Sequence, residues 1–278
     1  MMRQLSAALV FSACQNGVDS REICSQAHAY GVVARAGSRI DAARLEPGTV
    51  LACETDAVVY RQAVSALDRL PSRLRPPRLS LEIEPRFAAG APPLRGVEVH
   101  RPSAALLSTR ELAAAPLTPA TLGVWLHEVA HVRAHGARPA SGVPVRLFLA
   151  VEEGAADYFA AVTSGSTLLG DESGEIRDVA APPALGAAHW ASLAFADAFD
   201  AHHFGWALAG ELFRQEPSAG PLLDDLLSAL STREAWPAGA GGSPGAALDE
   251  LMRRCPTRSQ SALESVLARW VPRELRQG

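Results

Sequence analysis

The stretch HEVAH, residues 127–131, constrains this chain more than any other segment. Thr118-Pro119 just upstream reads as a helix start, a capping hydroxyl followed by proline at the first helical position, and predicts a helix running to Gly136. On that helix His127 and His131 share one face, a turn apart. Two imidazoles so placed can fill two corners of a tetrahedral metal shell. Glu128 lies about 100° round from His127, too far to be a natural ligand but able to reach a water held by the ion. The pattern is therefore two ligands and a base, and a catalytic zinc site of this kind demands a third protein ligand.

The acidic stretch VEEGAADYFA, residues 151–160, meets that demand. GARPASGVPV (136–145) reads as a reversal, and a second helix is expected from Arg146 to about Val162, antiparallel to the first. With a rise of about 1.5 Å per residue, His131 and Glu153 both sit roughly 8–10 Å from the turn and face each other at similar depth. Asp157 follows Glu153 by one helical turn and shares its face, where a carboxylate can accept the outward N–H of a ligating histidine. Ala155 and Ala156 keep the contact between the helices thin. Tyr158 points about 140° away from Glu153 and is expected to be structural. His135 is too far along the axis to join His127 on one ion, so it reads as a surface residue or a support behind the ligands. His28, His100 and His189 have no partners at ligand spacing. His100 ends a short strand before the motif, a place suited to binding extended peptide by strand addition.

HExxH on one helix, followed by Glu-x-x-x-Asp on the next, resembles the gluzincin metallopeptidases of the thermolysin-like superfamily over roughly residues 79–215. That resemblance implies an α+β, zincin-like domain: a small, mostly antiparallel sheet packed on the active-site helix, then a mainly helical C-terminal lobe from about residue 146. It implies Zn2+ held by His127, His131 and Glu153, with Glu128 as general base and Asp157 supporting a ligand. Glu152 stands where the family commonly has Asn and competes for the third position. Asp157 one turn past Glu153, against Ala156 past Glu152, favours Glu153. The family carries a transition-state histidine in its helical lobe, and FDAHHFG (199–205) offers His202 and His203, with His202 ahead. The metzincin pattern is excluded, because its further Gly and His positions are Ala134 and Ala137 here.

The rest of the chain sets the frame. Its 278 residues suffice for a sizeable core. A net charge of −4, with all 26 basic residues Arg, advertises no nucleic-acid partner. Met1 to Gln4 carries a positive charge, and LSAALVFSA before Cys14 has the length and small-residue ending of a signal peptide. FSAC resembles a lipobox, with Cys14 as the lipidation site. Residues 1–13 are thus expected to be a signal peptide, 14–75 an N-terminal segment with one helix (Asp56 to Leu70), and 76–278 the catalytic domain. Leu79–Ile83 and Gly96–His100 alternate as strands. Later helices are expected over 187–199, 203–215, 219–231, 246–254 and 259–270. Beside Cys14 there are Cys24, Cys53 and Cys255; Cys24 with Cys53 is the more local pairing, and the sequence fixes no connectivity.

Together these readings lead to an exported zinc metallopeptidase, an endopeptidase sooner than an exopeptidase. It would be secreted or a cell-envelope lipoprotein, monomeric, acting on protein or peptide, and meeting the membrane only through Cys14. A metal-activated water with Glu128 as base would hydrolyse the peptide bond. The alternative is a catalytically inactive zinc-binding envelope protein of the same fold, acting as a scaffold.

Overall fold

Thr118 opens the helix that carries HEVAH. In the computed structural model its hydroxyl accepts from the Thr121 N–H at 3.1 Å, and the Thr121 hydroxyl accepts from the Thr118 N–H at 2.9 Å, a reciprocal cap ahead of Pro119. The structure describes residues 20–41, 44–84, 98–100, 105–109, 113, 117–139, 142–170, 176–234 and 243–276. The expected signal peptide and Cys14 lie outside the described residues. The motif helix spans Pro119–Arg133 and buries Trp125, Leu126, Val129 and Ala130. Trp125 donates its indole N–H to buried Gln62, which satisfies both polar groups inside the core.

The helix stops short of Gly136. That glycine is needed for a close approach: a Cβ there would lie 2.2 Å from the Leu230 carbonyl oxygen, and the next residue, Ala137, donates its N–H to Thr232 O at 2.9 Å. The reversal is thereby pinned to the end of the helix Pro221–Ser231. Gly142, with φ at +77°, starts the second helix, Gly142–Ser164. From Leu147 to Ala161 this helix is buried on nearly every side, so it forms the axis of the helical part of the molecule. Each Leu or Phe buried there contributes about 1.5–3 kcal/mol relative to exposure.

On its other flank lies the helix Ala201–Gln215, capped by Asp200, which accepts from the His202 and His203 N–H groups at 3.0 and 3.2 Å. The two helices cross glycine on glycine. A Cβ on Gly205 would lie 2.6 Å from the Glu153 Cβ, and one on Gly154 would lie 2.9 Å from the Gly205 carbonyl oxygen. The helices Pro221–Ser231, Pro244–Arg254 and Thr257–Trp270 complete a helical C-terminal region.

The sheet has strands β1 (Val32–Asp41), β2 (Arg44–Val50), β3 (Leu79–Glu84), β4 (Glu98–His100) and β5 (Ala105–Thr109), in the order β2-β1-β3-β5-β4. The class is α+β, as expected, but the sheet is mixed and not mostly antiparallel. β1 with β3 and β3 with β5 are parallel, while β1 with β2 and β4 with β5 are antiparallel. For β1 with β3 the reason is connectivity: they are joined through β2 and the helices Cys53–Asp56 and Arg61–Asp68, a crossover and not a hairpin. The sheet therefore runs across residue 76, because β1 from the N-terminal segment pairs with β3 along Val32–Ala36. That segment supplies two strands and a helix, Ser20–Ala29, besides the expected helical stretch. Cys24 is bonded to Cys53, tying that first helix to the crossover, and Cys255 is a buried free thiol. A small hairpin, β6 (Leu168–Leu169) with β7 (Arg177–Asp178), packs Leu169 over Gly123 of the motif helix. Among the described residues no helix is long and apolar enough to cross a membrane.

The glycine crossing yields a test. Gly205→Ala is expected to lower stability by about 1–3 kcal/mol, the cost of overpacking a close contact, in chemical denaturation. It should weaken metal binding as well, because the clash falls on the Glu153 Cβ; unchanged values for both would remove the crossing from the account.

Candidate metal centre

Three side chains from the two helices converge on one buried point. His131 Nε2 lies 3.0 Å from His127 Nε2, and Glu153 Oε2 lies 3.2 Å from His127 Nε2 and 3.5 Å from His131 Nε2. The imidazole rings meet edge to face at 77°. His127 and His131 are buried, and Glu153 is nearly so. This triad is close enough to hold a metal ion. A tetrahedral ion with bonds of about 2.0–2.1 Å places its donors about 3.3–3.4 Å apart, and the three observed edges bracket that value. Glu153 Oε2 makes no hydrogen bond among the described residues despite its burial, as expected of an atom reserved for an ion.

Behind the triad stands a second layer. His127 Nδ1 is 2.8 Å from Asp157 Oδ1, an atom also 3.1 Å from an Arg177 guanidinium nitrogen. His131 Nδ1 is 3.5 Å from Glu152 Oε1, while Glu152 Oε2 accepts from Arg138 at 2.6 Å. Each imidazole thus turns one nitrogen inward and presents the other to a carboxylate that is itself held by an arginine. This layer fixes ring direction and favours the tautomer with its lone pair at the centre. Glu152 is engaged with Arg138 and the outer side of His131, which leaves the inner position to Glu153. The sequence missed Arg138 and Arg177. Arg177 sits on β7, whose place is set when Trp206 donates its indole N–H to Asp178 O at 2.7 Å. No local pattern in the sequence links residue 177 to residue 157.

Of the two histidines at the next helix start, His202 is the one brought near. Its Nε2 lies 3.5 Å from Glu153 Oε2, and its side chain is 64% exposed. His203 turns elsewhere and stacks on His189, with ring centroids 4.9 Å apart. Tyr158 donates its hydroxyl to Glu216 O at 2.7 Å, a structural anchor as expected. Burial and the Glu216 carboxylate push its phenol far up. Glu128 is half-buried on the motif helix, one residue past His127. His135 is half-buried beyond the helix end, apart from the triad. His100 closes the edge strand β4, paired with Ala105.

Electrostatics favour a positive charge at the centre. Burial opposes protonation of His127, yet Asp157 and Glu153 together hold its imidazole up at about 10. Burial likewise opposes charge on Glu153, and the two imidazoles still hold its carboxyl far below the usual carboxylate range. A proton on His127 would therefore compete with an ion for this position.

No protein-family model, curated protein or solved structure matches the chain significantly, so the site rests on its own geometry.

Two outcomes are expected. Metal affinity should rise with pH near neutrality, by about tenfold per unit for each proton displaced. Stability of the metal-free protein should run the other way. The His127 pKa is raised, so its contribution is fully present below 6.5 and lost as pH rises towards about 10. Zinc titrations across pH and thermal melts of metal-free protein check both; a pH-independent affinity would contradict the protonated centre. In the same titrations Asp157→Asn should weaken binding about 10–100-fold, the usual cost of losing a ligand's support.

Proposed function

We propose that this chain is a zinc-dependent peptidase of gluzincin type, with His127, His131 and Glu153 holding the ion. The observation that carries the reading is the triangle of two imidazole nitrogens and one carboxylate oxygen, backed by carboxylates on both outer nitrogens. Nitrogen-rich donor sets of this kind suit zinc better than calcium or magnesium, which take oxygen ligands. Three protein ligands, instead of four, leave one tetrahedral position for water or substrate, the mark of a catalytic site over a structural one.

Zinc, when bound, would supply Lewis acidity and make a coordinated water acidic near neutral pH. Glu128, beside the first ligand on the same helix, would accept the proton of that water and pass it to the leaving amine. Asp157 and Glu152 would keep the His127 and His131 rings aligned while charge changes at the centre. His202, exposed at the mouth of the site and 3.5 Å from Glu153, would donate a hydrogen bond to the oxyanion developing on the substrate carbonyl. Its exposure leaves it able to reorient towards a substrate. The Cys24–Cys53 bond supports a place outside the reducing cytosol, in keeping with export.

The test pairs metal content with turnover. Wild type and Glu128→Gln should each bind one equivalent of zinc, and only wild type should cleave an unfolded protein substrate. The variant should lose at least about 10²-fold in kcat/KM, the contribution of a general base. Bound zinc with no cleavage by either protein would favour the non-catalytic scaffold; no zinc in either would end the proposal.

A further inference from the structure

Beyond His131 the motif helix ends in a cleft of about 810 Å³, walled by that helix end, the sheet and the segment from Leu227 to Arg233. No member of the metal triad lines it, but Val132 does, and Val132 lies one helical turn beyond Glu128 on the same face. Glu128, the residue proposed as base, does not itself line the cleft and stands about 6 Å back along the helix axis from Val132.

Its charge is unusual for this molecule. Arg35, Arg78, Arg133 and Arg233 line it together with His135, against the single acid Glu82, in a chain whose net charge is −4. Among the described residues none of the four arginines forms an ion pair within 4 Å. Asp224, outside the cleft, pairs with Arg73 at 2.9 Å and acts on Arg133 as well. Arg133 is held in place, since it donates to Arg73 O at 2.8 Å and Arg75 O at 3.3 Å, and its Nε is buried with no hydrogen-bond partner. Glu82 is buried beside Arg35 on the neighbouring strand and offsets one of the four positive charges. The helix C-terminus adds only about half a negative charge. Four guanidinium groups outweigh both, and the cleft is left positive.

We infer that this cleft is a subsite for a carboxylate of the peptide substrate, recognised by Arg78, Arg133 and Arg233 while the chain of the substrate runs back along the motif helix past Glu128. The inference rests on the proposed peptidase activity for its kinetic consequence, but the binding itself does not. Guanidinium pairs suit a carboxylate because their parallel N–H groups match its two oxygens. The carboxylate could be an internal Asp or Glu side chain or the free C-terminus of a short peptide, and both present the same chemistry.

The experiment uses four fluorescent peptides of one sequence, with Glu or Gln at each position flanking the scissile bond and with a free or amidated C-terminus. Binding is measured on zinc-loaded Glu128→Gln protein by anisotropy, and cleavage on wild type. Arg78→Gln/Arg233→Gln is then introduced in both backgrounds; these side chains are exposed, and zinc content with melting temperature reports the fold. Removal of the carboxylate from the peptide should weaken binding by about 10–100-fold, the value of one charge-assisted hydrogen bond. The ratio between acidic and neutral peptides should collapse to within about threefold in the double variant, and added salt should shrink it in the parent. Sensitivity to Glu against Gln assigns the site to side chains, and sensitivity to amidation assigns it to the C-terminus. Equal binding of all four peptides, or a ratio untouched by the double variant, would overturn the subsite even if cleavage occurs. Selective binding without cleavage would keep the subsite and sink the peptidase reading.

Discussion

Two imidazole nitrogens and a carboxylate oxygen within 3.5 Å of one another, largely shielded from solvent, are three electron-pair donors aimed at one point. Such a group is unfavourable unless positive charge lies among them, because buried lone pairs with no donor carry their full desolvation cost. A proton meets part of that need; a divalent cation meets all of it. The rest of the helical region works to hold the three atoms there. The reciprocal threonine cap sets the rotation of the motif helix, Gly136 and Gly142 shape the reversal, and Gly154 against Gly205 brings the third helix close enough for His202 to reach Glu153.

Charge alternates outward from that point. Arg177 faces Asp157, which faces His127; Arg138 faces Glu152, which faces His131. Ion pairs built on a buried carboxylate contribute little to stability, because desolvation of the buried charge offsets the attraction. A hydrophobic pair of similar size would hold the helices together as well. What the charged layer adds is orientation and basicity of the two imidazoles. That is of use to a metal site and of little use to a bare helix contact, which is why the layer supports a functional reading.

Most of the centre was legible from local rules. Helical spacing alone put His127 and His131 on one face and Asp157 behind Glu153, and depth from the turn paired Glu153 with His131. The arginines were not legible, because Arg138 lies in the reversal and Arg177 on a hairpin whose place depends on Trp206, far along the chain. In the fold, the capped helices could be read from Thr118-Pro119 and from the buried runs that follow. β1 and β5 escaped notice for a physical reason. VVARAGSRID and ALLST are rich in residues with weak or helical preference, and pairing with neighbours on both sides makes them strands. The sheet was expected to be mostly antiparallel on resemblance. Its β1–β3 parallel ladder comes from the helical crossover between those strands, which no motif announces.

The most direct measurement is zinc K-edge X-ray absorption on the purified full chain at neutral pH. One zinc per chain is expected in a four-coordinate shell of nitrogen and oxygen at about 2.0–2.1 Å, with the multiple-scattering signature of two imidazoles that loses one ring in His131→Ala. A shell containing sulfur, a shell without imidazole, or failure of the protein to take up the metal would contradict it.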